Sequence, residues 1–161
     1  MRTRLASTTF GDFHCAHCHV LVSSAHLVSG VNNRNHCPYC LWSCHLDLYT
    51  AGDRLSACKA PMKPIGLTMK MGRNKYQPVA RGELMLIHQC MECNTLSINR
   101  IAADDDSDKV MMVYRESLSL RHSFHALCQE HGIIMLKPED IEVVYTQLYG
   151  YDAEISVMSW A

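Results

Sequence analysis

The sequence predicts an α+β fold: a small antiparallel β domain pinned by cysteine knuckles, followed by a helical C-terminal extension. Three observations predict it. Cys-x-x-Cys pairs recur at Cys15/Cys18, Cys37/Cys40 and Cys90/Cys93. Apolar runs over residues 83–88 and 96–102 flank the third pair as two arms of a hairpin would. Beyond residue 107 the apolar positions switch to helical intervals. The expected organisation is a flexible lead over 1–12, a metal-binding domain over 13–106 and an acidic helical extension over 107–161.

The 161 residues suit one domain, or one with an appendage, and 19% charged against 48% apolar residues is a globular composition. No apolar run approaches the roughly 20 residues of a membrane span. The basic start, Met1 to Ala6, leads into no apolar h-region, so the expectation is a cytoplasmic, reducing setting. There, nine cysteines in paired spacing point to metal rather than to disulfides, and an odd number fits a full disulfide set poorly. The net charge of −1 conceals +6 over residues 1–103 and −7 over 104–161. One zinc site of four thiolates, and one of three thiolates and a neutral histidine, would lower the first figure to about +3.

In chain order, Cys15, Cys18, Cys37 and Cys40 read C-x2-C-x18-C-x2-C, within the range of a structural four-cysteine zinc site. Two residues between sulfurs let both reach one tetrahedral ion, and the turn's N–H groups lower thiolate basicity. Four protein ligands close such a site to water and substrate. Residues 19–28 could supply a strand or two, and Gly30 to Asn33 a turn. His45 and Asp47 share parity, so a strand would set both on one face. Gly52-Asp53 makes a turn. Cys90 and Cys93 need partners: Cys58 is the obvious third ligand, and His45 and His88 compete for the fourth place. His45 is favoured, because His88 lies two residues from Cys90. Cys44 and Cys128 are expected to be packed rather than ligating.

Residues 59–81 contain three prolines and two glycines and read as loop and extended chain. Their cations Lys59, Lys63, Lys70, Arg73, Lys75 and Arg81 have no acid among them, and Tyr76 adds an aromatic. Such a run could follow a phosphate backbone; six phosphate contacts would give a salt slope of about −5 on B-DNA and about −4 on single strands. An ordinary solvated loop is the alternative. Asp104, Asp105, Asp106 and Asp108 lack the Gly and Glu of a calcium loop and read as a solvated linker. Val113, Ser117, Leu120, Phe124 and Leu127 predict one helix ending at Gly132, with His122, His125 and His131 as surface or packed residues. A second helix is predicted from Pro138 to Gly150.

The run Arg34-Asn35-His36-Cys37-Pro38 resembles the signature of the RNHCP domain family. Phe13, Cys15 and Cys18 are similar to its opening. Cys40, Leu41, Ser43, His45 and Asp47 follow in order, then Gly52, Asp53 and Arg54. Cys58, Met62, Pro64, Ile65 and Gly66 come next, then His88, Cys90 and Cys93, and finally Asn99, Arg100, Ile101, Ala102, Asp104 and Asp105. Asn94 stands where the family commonly has Gly; Asn tolerates a left-handed backbone nearly as well. The resemblance covers about residues 13–106 and implies a zinc-ribbon type of domain with metal ligands Cys15, Cys18, Cys37, Cys40, His45, Cys58, Cys90 and Cys93. It is silent on substrate. It draws attention to Arg34, Asn35, His36, Asp53, Arg54, Asn99 and Arg100, which either orient the metal ligands or form a recognition surface.

The function expected is a non-enzymatic module stabilised by two Zn²⁺ ions that binds RNA or a ribonucleoprotein surface, with a protein partner possible through the C-terminal helices. The alternatives are a treble-clef metal-dependent nuclease using His36, His45 and Asp47, a protein–protein adaptor, and a redox role for Cys90 and Cys93.

Overall fold

The computed structural model describes residues 11–71, 82–120 and 122–150. Arg73, Lys75, Tyr76 and Arg81 lie outside the described residues, as does most of the expected N-terminal lead. Eleven elements follow in order: β1 (Phe13–His14), β2 (Leu21–Val22), α1 (His26–Ser29), β3 (Ser43–Cys44), β4 (Pro61–Lys70), β5 (Glu83–Cys90), β6 (Leu96–Arg100), α2 (Ser107–Ser117), α3 (His122–Glu130), a 3-10 turn (Pro138–Asp140) and α4 (Ile141–Tyr149). The α+β class, the antiparallel sheets and the C-terminal helices are as the sequence predicts. No described helix is long and apolar enough to cross a membrane.

β1 and β2 form a small ribbon around the first knuckle, and β3-β4-β5-β6 form an antiparallel sheet in that order. The β5–β6 hairpin carries the third knuckle at its tip, with Ile87 opposite Ile98 and His88 opposite Ser97.

Three expectations are corrected. Within the proline-broken stretch residues 61–70 form a ten-residue internal strand, β4, so the extended chain expected there is paired into the sheet rather than looped, while residues 72–81 lie outside the described residues. The prolines of β4 sit where a sheet tolerates a missing N–H: Pro61 is the first strand residue, and the register shifts between Pro64 and Gly66. Gly66 lets the helical layer close in, since a Cβ there would stand 2.5 Å from Met135 Cε and 3.2 Å from Ser117 Cβ. A strand over His45–Asp47 does not form, because β3 ends at Cys44. The single helix over 113–127 is two. Ser117 Oγ donates to the Tyr114 carbonyl and Ser119 Oγ to the Glu116 carbonyl at the break, where hydroxyls compete for helical acceptors. The apolar period persists across the break because both helices face apolar clusters that include the sheet.

The main cluster joins Leu67, Leu84 and Leu86 of the sheet to Val110, Met111, Val113 and Tyr114 of α2, Val144 of α4, and Leu41 of the second knuckle. A second cluster sets Ile65, Ile87 and Leu96 with Cys128 and Met135. The helices and the sheet therefore share one core, and knuckle residue Leu41 is anchored in it.

Candidate metal centres

All three knuckles have one backbone design. The residue after the second cysteine donates its N–H to the first cysteine's carbonyl: His19 to Cys15 at 3.0 Å, Leu41 to Cys37 at 2.9 Å, Asn94 to Cys90 at 3.2 Å. One residue further, a carbonyl accepts the first cysteine's own N–H: Val20, Trp42 and Thr95, each at 2.9 Å. Closing so tight a turn puts the intervening residue in the left-handed region, with φ of 62° at His19, 61° at Leu41 and 59° at Asn94. Asn94 thus adopts the conformation expected of it.

The knuckles assemble two clusters, Cys15/Cys18/Cys37/Cys40 and His45/Cys58/Cys90/Cys93, within each of which the four ligand atoms lie within 4.8 Å of one another. An ideal tetrahedron with metal–sulfur bonds of about 2.3 Å places its sulfurs about 3.8 Å apart. The structure has Cys15–Cys40 at 3.5 Å, Cys18–Cys37 at 3.6 Å and Cys58–Cys90 at 3.6 Å, with His45 Nδ1 3.3 Å from Cys93 Sγ. Two soft, thiolate-rich, four-donor sites of this size can each hold a metal ion. His45 rather than His88 is the histidine that joins the second cluster.

The sulfurs are not equivalent. The Val20 N–H lowers the Cys18 thiol below its usual range, whereas burial pushes Cys37 and Cys40 up. In the second cluster the Thr95 hydroxyl and N–H lower Cys93 to about 6, while burial raises Cys90. Metal binding at either cluster must therefore displace protons from a buried thiol, Cys37 in the first and Cys90 in the second.

His88 is fully buried. Its Nε2–H donates to the Leu41 carbonyl at 2.7 Å, and its Nδ1 accepts from Asn99 Nδ2 at 2.9 Å. Burial, with His36 nearby, lowers it to about 3, so it stays neutral in that tautomer.

The polar residues of the signature are mostly occupied. Arg34 reaches Asp104 at 2.8 Å and Asp105 at 3.3 Å; His36 Nε2 meets the other Asp105 oxygen at 2.7 Å. The acidic run is therefore not a solvated linker: Asp105 is buried, and Asp106 caps α2 by accepting from the N–H groups of Asp108 and Lys109. Asp53 accepts from the N–H groups of Leu48, Tyr49, Thr50 and Leu55, which hold its carboxyl well below the usual range. Asp47 accepts from the N–H groups of Gly52 and Arg54 and faces the Arg54 guanidinium at 3.5 Å. Arg54 also donates to the Arg34 carbonyl, and Arg100 pairs with Glu83. His36, His45 and Asp47, the trio of the nuclease alternative, are thus directed to three different partners. The roles of Asp105 as a hub and of His88 as a tie between knuckle and sheet escaped sequence reasoning. The available signal was that Asp104 and Asp105 close the same motif series that Arg34 and His36 open.

Of the cationic run, Lys59, Lys63 and Lys70 are described, all exposed, on or just before β4. Cys44 is half-buried, its thiol donating to the Lys59 carbonyl, and Cys128 is fully buried.

Comparison with curated proteins and with solved structures gave no match. The RNHCP domain matches residues 10–111, a span that contains both four-residue clusters, the Arg34–Asp105 network and the whole four-stranded sheet, and the chain belongs to the RNHCP domain family.

Proposed function

We propose that this chain is a zinc-stabilised, non-catalytic module that binds RNA. The two clusters would each hold one Zn²⁺, the first through Cys15, Cys18, Cys37 and Cys40, the second through His45, Cys58, Cys90 and Cys93. Zinc would supply charge neutralisation and cross-linking there, since four protein donors leave no position for water or substrate.

The observation that carries the RNA reading is Lys59, Lys63 and Lys70. All three are exposed, and none has a carboxylate within ion-pair distance among the described residues, although Arg34, Arg54 and Arg100 all do. Cations left without a partner on and just before one strand suit a phosphate backbone. Titration of single-stranded RNA at 50 and 200 mM salt tests this. Binding at the lower salt is expected, and Lys63→Ala should flatten the log–log salt slope by about 0.7. No binding at 50 mM would overturn the reading. Elemental analysis of protein purified without chelator is expected to find two zinc ions per chain.

A further inference from the structure

A cleft runs between the outer edge of β6 and the loop at residues 45–51. It consists of two cavities of about 260 and 270 Å³ that share Asn35, Asp47, Ala51, Ile98 and Asn99. One extends toward His45 and Ser97, the other toward Lys70 and Arg100. β6 is an edge strand, paired only with β5, so alternate backbone N–H and C=O groups on its outer side have no strand partner. The opposing loop is rigid, because Asp47 and Asp53 hold its backbone N–H groups. Tyr49 stands on that loop, 81% exposed.

Asn35 makes the cleft more than a crevice. Its backbone is clamped, with the carbonyl accepting from Ser43 Oγ at 2.9 Å and from the Cys44 N–H at 3.1 Å. The residue is only 6% exposed, yet among the described residues its carboxamide has no hydrogen-bond partner, and it lines both cavities. Its amide N and O are not among the buried atoms left without a partner, so they open into the cleft and are free to bond a ligand there. Asn99 is half-committed: one N–H goes to His88, whose Nδ1 can only accept, leaving the Oδ1 and the second N–H to be satisfied from the cleft.

We propose that this cleft is a nucleotide pocket, taking one unstacked adenine-bearing unit with its phosphate toward Lys70 and Arg100. Each cavity is below the roughly 300–1,000 Å³ of a drug-sized site, so the ligand is small. A carboxamide offers a donor beside an acceptor, the pattern that pairs in two hydrogen bonds with adenine N6 and N7. The unpaired β6 edge adds further donors and acceptors, and Tyr49 gives a face for stacking. Arg100 is already paired with Glu83, so Lys70, with no carboxylate within ion-pair distance among the described residues, is the cation that a neutral polar ligand would leave without use. The source of the unit is either free mononucleotide or a strand of RNA; the second source rests on the RNA-binding reading above and extends the β4 lysine track, whose last member is Lys70.

The test uses the full zinc-loaded chain with AMP and UMP by calorimetry, and with labelled oligo(A) and oligo(U) by anisotropy at 50 mM salt. AMP is expected to bind, more tightly than UMP, with Asn35→Asp weakening it at least tenfold and Lys70→Ala several-fold. Lys63→Ala, outside the cleft, should leave AMP affinity unchanged and weaken only the oligomers. Retained zinc content and helical signal certify each variant; if Asn35→Asp fails that check, Lys70→Ala and the AMP/UMP comparison decide. RNA binding without AMP binding, or AMP binding indifferent to both Asn35 and Lys70, overturns the pocket while leaving the RNA reading standing. AMP binding without oligomer binding supports the pocket with a free nucleotide as ligand and overturns the RNA reading. Failure of both ligands overturns both.

Discussion

Asp105 gathers donors from three directions: Arg34 Nη2, His36 Nε2 and the Ala102 N–H. A carboxylate buried to this degree is tolerable only because every donor is in place. The Arg-Asn-His-Cys-Pro segment thus provides two side chains for Asp105, one amide for the cleft and one sulfur for a metal centre. His88 makes a prediction of its own. Its folded pKa, lowered to about 3 by burial, lies below the unfolded value of about 6.5. The folded state is then penalised for staying unprotonated, so stability is fully present above pH 6.5 and is lost as pH falls toward 3, by up to about 1.4 kcal/mol per unit. Urea midpoints at pH 7.5, 6.5 and 5.5 should fall more steeply for the native chain than for His88→Gln. Metal content measured at each pH for both proteins separates the His88 contribution from metal loss; identical slopes at equal metal content would refute the assignment.

At the scale of elements, the knuckle turns are legible in the sequence and the segments between them less so. Paired cysteines mark their turns locally, and the left-handed backbone at Asn94 is what the resemblance implies, since the family commonly has Gly there. Asn94→Gly should therefore shift stability by under about 1 kcal/mol, whereas Asn94→Val, β-branched at φ of 59°, should cost about 1–2 kcal/mol. Thermal denaturation of the two variants checks this, and a well-tolerated valine would contradict the turn. β4 is hidden because proline and glycine usually form loops, whereas here Pro61 opens the strand, Pro64 stands at the register shift and Gly66 accommodates Met135. The break in the helix is hidden because α2 and α3 keep a common apolar period. Its cause, two serines bonding backward to carbonyls, is a local competition that periodicity does not report.

For the molecule as a whole, the metal centres are joined to the apolar core by Leu41, which closes the second knuckle, packs with Leu67 and Leu86 and accepts the His88 hydrogen bond. Structural zinc contributes on the order of 10–16 kcal/mol in small fingers, more than the net stability of many domains. Strong chelation, or Cys37→Ser, should consequently disorder the sheet as well as the ribbon, seen as collapse of amide dispersion. Native dispersion after confirmed metal removal would show the core to be self-sufficient. The ligand set is readable because coordination imposes spacing on the sequence. The cleft is not, because its walls come from residues 31–36, 45–51 and 95–100, which only the sheet's register brings together.

The clusters also differ in how much chain must exist before they close. The first spans 25 residues from Cys15 to Cys40, the second 48 from His45 to Cys93, and the Arg34–Asp105 pair spans 71. On a ribosome adding about 5–20 residues per second, the first site is complete about 3–13 s before Asp105 has been added. During that interval the ribbon, complete in the ligands that could hold its metal, carries Arg34 and His36 without the Asp105 that receives them. Nascent chains stalled before and after residue 105 would differ in whether that ribbon is merely complete or locked.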